Sequence, residues 1–166
     1  MFSISKKRII CLIISYCMVV LWKLFIFIMS SQTGAESGNT SSGLINTACS
    51  IIIPDFSELE ETQKIEIISK ISYPVRKLAH FTEYFILAAV INLSVIQTKR
   101  KISLTLSNLA ISFALGVLYA ITDEIHQLFV PGRAGTITDV LIDSAGVALG
   151  CITFAIIYEV IKKRKK

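Results

Sequence analysis

Four apolar segments, each long enough to cross a bilayer, limit the fold of this chain more than any other feature. We place them at residues 9–29, 75–96, 102–122 and 140–161. A helix needs roughly 20 largely apolar residues to cross the ~30 Å hydrocarbon layer. Because 53% of the 166 residues are hydrophobic and only 17% are charged, the composition is too apolar for an ordinary soluble domain. We therefore predict a single all-α integral membrane domain over residues 1–166.

The first apolar segment has two interpretations, a cleaved signal peptide and a retained anchor. Basic residues at 6–8 precede it, as they would precede either. Its apolar stretch is longer than the roughly 7–15 residues of a signal peptide, and no A-x-A-like cleavage site follows. We predict that this segment is retained as the first transmembrane helix.

The basic residues predict the orientation of the four spans. Runs of Lys and Arg at residues 6–8, 99–101 and 162–166 fall on one side of a four-span protein, and cytoplasmic loops carry such an excess. We therefore expect a multi-pass protein of the cell membrane with both termini cytoplasmic, an extracellular loop over residues 30–73 and a basic cytoplasmic tail. The basic runs lack the interleaved aromatic residues of a nucleic-acid binder, so we expect no nucleic-acid partner.

The long extracellular loop contains one predicted helix. Residues 30–43 have the small-residue composition of a flexible loop. Ser57 and Glu60 match a capping box, which predicts a short extracellular amphipathic helix over residues 58–72. Tyr73 and Pro74 would end this helix before the second span begins, because a residue that precedes proline avoids the helical conformation. The four cysteines have neither a disulfide framework nor metal-ligand spacing.

Polar residues form a stripe on each of the last three spans, and every stripe has its charged end at the predicted outer face. Residues three or four apart share one face of a helix, and small residues allow close helix approach. The short turn at Pro131-Gly132 would hold Arg133 near these stripes. We expect one connected outer cluster. The stripes are Arg76, His80 and Glu83 on the second span, Ser112, Gly116, Tyr119, Asp123 and His126 on the third, and Asp139, Asp143, Gly146 and Gly150 on the fourth.

Several of these residues also have simpler interpretations. Asp139 could act only as a helix cap, and Glu124 could simply be solvated. Lys23, inside the first span, could pair with Glu83 or extend its ammonium group to the interface. Arg76 and Lys77 are harder to explain structurally, because cations oppose the dipole of a helix N-terminus and stand on the wrong side for topology. They call for an anionic partner.

The same segments carry a resemblance to a known family. The stretches RKLAHFTEYFIL and DEIHQLFVPGRAGTITDVLIDSAG, together with MSSQ at the end of the first span, resemble the VanZ family of small membrane proteins. The resemblance implies an association with glycopeptide resistance, especially to teicoplanin, without an established biochemical mechanism. The recurring polar positions of the family fall on Ser31, Gln32, Lys77, His80, Asp123, Glu124, Gln127, Arg133 and Asp139.

Our leading functional hypothesis is a cofactor-free binding site at the outer leaflet for an amphiphile. The ligand would be a cell-wall lipid precursor or a lipid-tailed glycopeptide, and membrane lipid is a further expected partner. Guanidinium and ammonium groups would meet its phosphate or carboxylate. The predicted ligand-binding residues are Arg76, Lys77, His80, Glu83, Asp123, Gln127, Arg133, Asp139 and Asp143.

An enzyme is the alternative hypothesis: an integral-membrane hydrolase or transferase acting on a lipid or cell-wall headgroup. Its candidate catalytic residues are His80, Glu83, Asp123 and His126, with a histidine as general base. Imidazole and carboxylate groups suit a divalent metal, but their spacing matches no zinc motif, so we assign no metal ligands. A transporter is a weaker interpretation, which a homo-oligomer would favour by supplying a pathway.

Overall fold

The computed structural model describes residues 6–98 and 104–164, and this part of the chain is helical. Helices α1, α3, α4 and α5 are each long and apolar enough to cross a membrane, which confirms the predicted all-α membrane fold. The predicted turn at 99–101 and the last two residues of the basic tail lie outside the described residues. The helices are α1 (Lys6–Ser30), α2 (Gly34–Ile52), α3 (Glu61–Thr98), α4 (Leu106–Gln127) and α5 (Ile137–Arg164), with a 3₁₀ turn at Phe56–Glu58.

Helix α3 is the centre of the bundle and packs against each of the other four helices. Tyr84 and Leu87 of α3 are fully buried together with Ile26 of α1 and Val147 of α5. The predicted close approach at the α5 glycines is confirmed for α3. Gly146 lies directly against the Phe81 backbone, and Gly150 meets α3 one turn further along, so that a Cβ at either glycine would collide with a carbonyl oxygen.

The predicted flexible loop after α1 is instead a helix, and this corrects the sequence analysis. Thr33 and Glu36 form a capping box at its start, in which the Thr33 N–H donates to Glu36 Oε2 at 2.9 Å. That bond and the one from the Thr33 hydroxyl hold the pKa of Glu36 below its usual value. Ile45 and Cys49 of α2 are buried against α3. The cap and this burial outweigh the loop-like composition, because most helical stability in proteins comes from packing of one face.

The predicted helix break at Tyr73-Pro74 is also wrong, because α3 continues through Pro74 without interruption. A proline inside a helix gives up one backbone hydrogen bond. Ile67, Ile68 and Ile71 pack against the buried face of α2. Extending the helix in phase keeps this apolar face buried, which offsets the lost bond.

The helix that was expected to be separate over residues 58–72 is therefore the first part of α3. The capping box predicted from Ser57 and Glu60 does not form, since Ser57 lies in the 3₁₀ turn. Glu60 precedes α3 instead, and its N–H donates to Gln63 Oε1 at 3.3 Å. The segment predicted as one extracellular loop over residues 30–73 thus consists mainly of α2 and the start of α3.

The last two membrane helices are shifted relative to the predicted spans. Helix α4 ends at Gln127, five residues beyond the predicted end at 122, so Asp123 and Glu124 lie inside the helix. Helix α5 begins at Ile137, three residues before the predicted start. Both shifts place charged residues within regular helix near the connection between α4 and α5.

The polar residues lie at one end of the bundle, where α1 and α4 end and α5 begins; we term this the polar end.

Helix α3 is longer than a membrane span. At ~1.5 Å per residue, its 38 residues measure about 57 Å, well above the ~30 Å hydrocarbon layer. Gly34 joins α2 to the α4–α5 turn by donating to the Pro131 carbonyl at 3.0 Å. Helix α2 and the first part of α3 therefore form a hairpin that extends past the polar end.

Candidate functional site

Two neighbouring cavities mark the polar end. The first measures about 170 Å³ and lies between α3 and the α4–α5 turn. The second, about 100 Å³, lies between α3 and α2, and Glu83 is in its wall. Arg76, His80 and Arg133 line both cavities. Six of the nine predicted ligand residues line the first cavity: Arg76, Lys77, His80, Gln127, Arg133 and Asp139.

An ion pair between Lys77 Nζ and Asp139 Oδ1 closes one side of the first cavity and joins α3 to the start of α5. The exposed fractions of the two side chains are 24% and 14%. Thr136 provides the helix cap, since its Oγ1 accepts from the Asp139 N–H at 3.1 Å. The carboxylate of Asp139 is therefore not only a helix cap. It is the anionic partner that we expected for Lys77 from the sequence.

Arg133 reaches into the site from the α4–α5 turn. Its Nη1 donates to Ser37 Oγ at 2.8 Å and its Nε donates to Gln127 Oε1 at 3.3 Å. Gly132 has a φ of 72°, a left-handed conformation that suits glycine and sets the direction of the turn. Both partners of Arg133 are neutral, so these bonds position its guanidinium without neutralising it.

Arg76 is the second guanidinium of the site. It is half-buried and lines both cavities. Within residues 6–98 and 104–164, neither Arg76 nor Arg133 forms an ion pair. Two guanidinium groups without a direct ion pair therefore face the same space, with the Glu83 carboxyl group in the wall of the second cavity.

His80 and Glu83 stand one turn apart on α3. His80 Nδ1 and Glu83 Oε2 are 3.8 Å apart, which is too far for a hydrogen bond. The Glu83 carbonyl accepts from Trp22 Nε1 at 2.9 Å, which ties α3 to α1. The Lys23–Glu83 pair considered above does not form, because Lys23 Nζ instead lies over the Tyr119 ring, 4.4 Å from its centroid.

Two predicted ligand residues, Asp123 and Asp143, lie deeper in the bundle than the cavities. Asp143 is fully buried, and neither of its carboxyl oxygens has a hydrogen-bond partner in the described part of the chain. Asp123 is 3% exposed and faces the side chains of Ser30, Tyr84 and Gln127. The expected single cluster therefore has two levels, a cationic one that lines the cavities and a buried acidic one beneath it.

Glu124 is not solvated, which corrects one interpretation of the sequence. Its side chain is 5% exposed, and Oε2 accepts from the Thr136 N–H at 2.9 Å. Gly135 packs against the backbone of Glu124, where a Cβ would collide with the carbonyl oxygen. Glu124 therefore fastens the α4–α5 turn to the end of α4.

His126 lines neither cavity and lies on the side of α4 that faces α1. Its Nε2 is 3.1 Å from Ser31 Oγ, and its ring packs on Phe27. The Ser31 hydroxyl donates its proton to the Phe27 carbonyl at 2.6 Å. His126 must then donate to Ser31, which is the reverse of a base that activates a serine nucleophile.

Three residues that shape the site were not predicted from the sequence. Ser37 binds Arg133, Trp22 fixes α3, and Tyr84 is fully buried beside Asp123. Thr136, one of two threonines expected to cap the fourth helix, does cap α5, and its N–H also donates to Glu124. The pattern Thr-x-x-Glu at residues 33–36 was the available signal for α2, and so for Ser37. In the part of the chain that the structure describes, no group of three His, Cys, Asp or Glu residues could hold a metal ion.

The combination of four membrane helices with this polar end agrees with a comparison against protein families. A family model described as VanZ/LLP1 matches residues 13–158, nearly the whole chain. The chain belongs to the VanZ/LLP1 family. No curated protein and no solved structure matches it. In this VanZ/LLP1 protein, several of the polar residues that the resemblance implied make contacts with one another: Lys77 with Asp139, and Gln127 with Arg133.

Proposed function

We propose that the polar end of this VanZ/LLP1 protein binds the anionic headgroup of an amphiphile at the outer leaflet, and that this binding protects the cell from glycopeptides. The chain is a VanZ-like membrane protein, and its family is associated with glycopeptide resistance. The headgroup would come from a cell-wall lipid precursor or from a lipid-tailed glycopeptide. Both offer phosphate or carboxylate oxygens.

The observation that carries the proposal is the pair of guanidinium groups, Arg76 and Arg133, in the shared walls of the two cavities. A guanidinium presents its donors in a planar fork that matches a phosphate or carboxylate. Charges near the bilayer are usually partnered, because they are expensive without a partner. A bound anion would supply the partner that the described residues do not.

An enzyme acting on the same headgroup is less well supported. His80 and Glu83 lie beside the cavities, which favours proton transfer at this place. However, the pair is not hydrogen-bonded, and the Ser31–His126 contact has the wrong donor for nucleophilic attack. Release of inorganic phosphate from a bound alkyl phosphate would favour the enzyme over the binding site.

The decisive experiment measures teicoplanin susceptibility in a strain that lacks its own copy of the gene. We expect Arg133→Ala and His80→Ala to abolish protection while the amount of protein in the membrane stays close to wild type. Arg133→Lys should also be impaired, because lysine lacks the planar fork. Lys70→Ala is the matched control, since Lys70 lies on α3 and is 70% exposed, outside both cavities. Full protection by both alanine variants would refute the proposal.

A direct binding measurement separates the two ligand sources. Dodecyl phosphate and dodecanoate have the same chain and differ in the anion. Tight binding of the phosphate alone would favour a phosphate-bearing lipid precursor, and binding of dodecanoate and teicoplanin would favour the lipid-tailed glycopeptide. Arg76→Ala should weaken binding of whichever anion is preferred. Binding that is equal in Arg76→Ala, Arg133→Ala and wild type would contradict the assignment of the site.

A further inference from the structure

An apolar groove beside the polar end has no place in the function proposed so far. It lies between α2 and α3 and encloses about 320 Å³, within the roughly 300–1,000 Å³ range of ligand pockets. Its walls are almost entirely hydrocarbon, from Leu44, Ile45, Ala48 and Ile52 of α2 and from Ile71 and Val75 of α3. This groove lies next to the cavity that holds the two guanidinium groups.

The groove adjoins the second of the two cationic cavities. Leu44 and Val75 line both the groove and the cavity that contains Arg76 and Arg133. Arg76 directly follows Val75 in the chain, so the apolar wall changes to a cationic wall within one residue. A molecule with an anionic head and a hydrocarbon tail would find both complementary surfaces in this order.

The level of the groove argues against ordinary bilayer lipid as its occupant. From Val75 to the end of α3 at Thr98 the helix measures about 35 Å at ~1.5 Å per residue, slightly more than the ~30 Å hydrocarbon layer. The groove extends from Val75 toward the free end of the hairpin, so it lies at the edge of the hydrocarbon layer or beyond it. Beyond that edge, the hydrocarbon tails of the surrounding bilayer do not cover apolar surface. Leu44 and Ile52 remain 68% and 76% exposed.

We propose that this groove holds the hydrocarbon chain of a phosphate-bearing lipid whose phosphate is bound by Arg76 and Arg133. The inference rests on the proposed function and adds the lipid class. A phosphate monoester carries about −1.5 to −2 charges at neutral pH, which matches two unpaired guanidinium groups better than one carboxylate does. The hydrocarbon chain of the lipid lies along α2 and enters the groove past Leu44. Helix α2 thereby selects lipids by their tail, while the α4–α5 turn selects them by their head.

The test compares dodecyl phosphate with butyl phosphate on the full-length protein in phosphatidylcholine nanodiscs. Ala48→Trp fills the groove, and Ile51→Trp places the same side chain on α2 at a position that does not line it. We expect Ala48→Trp to weaken dodecyl phosphate binding by at least about tenfold, the change expected when about two methylene groups lose their burial. Butyl phosphate affinity should stay within about twofold of wild type. Ile51→Trp should resemble wild type for both ligands.

The possible results separate failure of this inference from failure of the proposed function. Suppose that wild type binds both phosphates and that Ala48→Trp binds dodecyl phosphate as tightly as Ile51→Trp does. The hydrocarbon chain of the ligand then lies outside the groove, and the inference is overturned. If Ala48→Trp instead changes the number of copies per nanodisc, a second copy occupies the groove, which also overturns it. If wild type binds dodecanoate but neither phosphate, the inference is overturned while the proposed function stands. If it binds none of the three anions, both fall. The inference is supported if Arg133→Ala loses binding of both phosphates while Ala48→Trp loses binding of dodecyl phosphate alone.

Discussion

Lys77 is the cation of the polar end that already has an ion-pair partner, Asp139. Removal of its side chain should therefore lower the stability of the protein. Lys77→Ala would leave the Asp139 carboxylate, 14% exposed, without its partner. Removal of one partner of a charged hydrogen bond costs about 1–3 kcal/mol, and the lower half of that range fits a pair with partial water access. We expect a lower unfolding temperature in detergent for Lys77→Ala.

The control for this prediction is an exposed ion pair on the same helix. Lys70 and Glu66 are 70% and 65% exposed, so Lys70→Ala should change the unfolding free energy by at most about 0.5 kcal/mol. Equal losses in Lys77→Ala and Lys70→Ala would mean that the Lys77–Asp139 pair does not hold α5 to α3.

Glu124 provides a second prediction at the residue scale. Glu124→Ala would remove the acceptor of the Thr136 N–H, and because Thr136 itself is exposed, the loss should be about 0.5–1.5 kcal/mol. Glu124→Gln keeps an acceptor oxygen and should lose less. The measurement is thermal unfolding in detergent, with Glu66→Ala as an exposed acidic control. A Glu124→Ala protein as stable as Glu66→Ala would restore the solvated interpretation of Glu124.

The sequence could predict which residues meet at the polar end better than it could predict their roles. Helical spacing correctly placed Arg76 and His80 on one face of α3. Glu124 was misjudged because it follows Asp123 directly, about 100° around the helix, where it would face solvent on an isolated helix. It is buried because the α4–α5 turn folds back over it, a tertiary contact that no local pattern encodes. Ser37 was missed for the same reason.

At the scale of elements, two glycines in different surroundings give a third prediction. Gly146→Ala would force a Cβ against the α3 backbone, and overpacking of this kind costs about 1–3 kcal/mol. Gly43 of α2 has nothing within 4 Å of an added Cβ. Gly43→Ala should therefore stabilise the protein by about 0.4–1 kcal/mol. Opposite shifts in unfolding temperature are expected, and a loss at both positions would contradict this account of helix packing.

The membrane helices were predictable because their signal is length and apolarity, which are local properties. Helix α2 was not predictable from composition, since its glycines and serines are typical of loops. Its burial against Ile68 and Ile71 of α3 decides its structure. The same contact explains why α3 passes through Pro74, because a break there would turn the apolar face away from α2. In both places tertiary packing overrides a local rule.

At the scale of the whole molecule, charge and packing are arranged around one end. The connection between α4 and α5, the end of α1 and the α2–α3 hairpin all meet there. Three cationic residues and five carboxyl groups lie at this end: Arg76, Lys77 and Arg133, with Glu83, Asp123, Glu124, Asp139 and Asp143. The ends of α1 and α5 that carry Lys6 and Arg164 point the opposite way. The function proposed above requires the polar end to face outward.

Orientation is therefore the fourth prediction, and it can be tested on the whole protein. The basic runs predict that both termini are cytoplasmic, which would place Lys70 outside and Lys163 inside. In a variant without Cys11, Cys17, Cys49 and Cys151, Lys70→Cys should react with a membrane-impermeant maleimide in intact cells. Lys163→Cys should react only after permeabilisation. Both positions are exposed, so a difference in labelling reports the side of the membrane and not burial. Labelling of Lys163→Cys in intact cells would place the polar end in the cytoplasm, where it cannot meet an extracellular glycopeptide. The proposed function would then be wrong, even if Arg76 and Arg133 bind a phosphate.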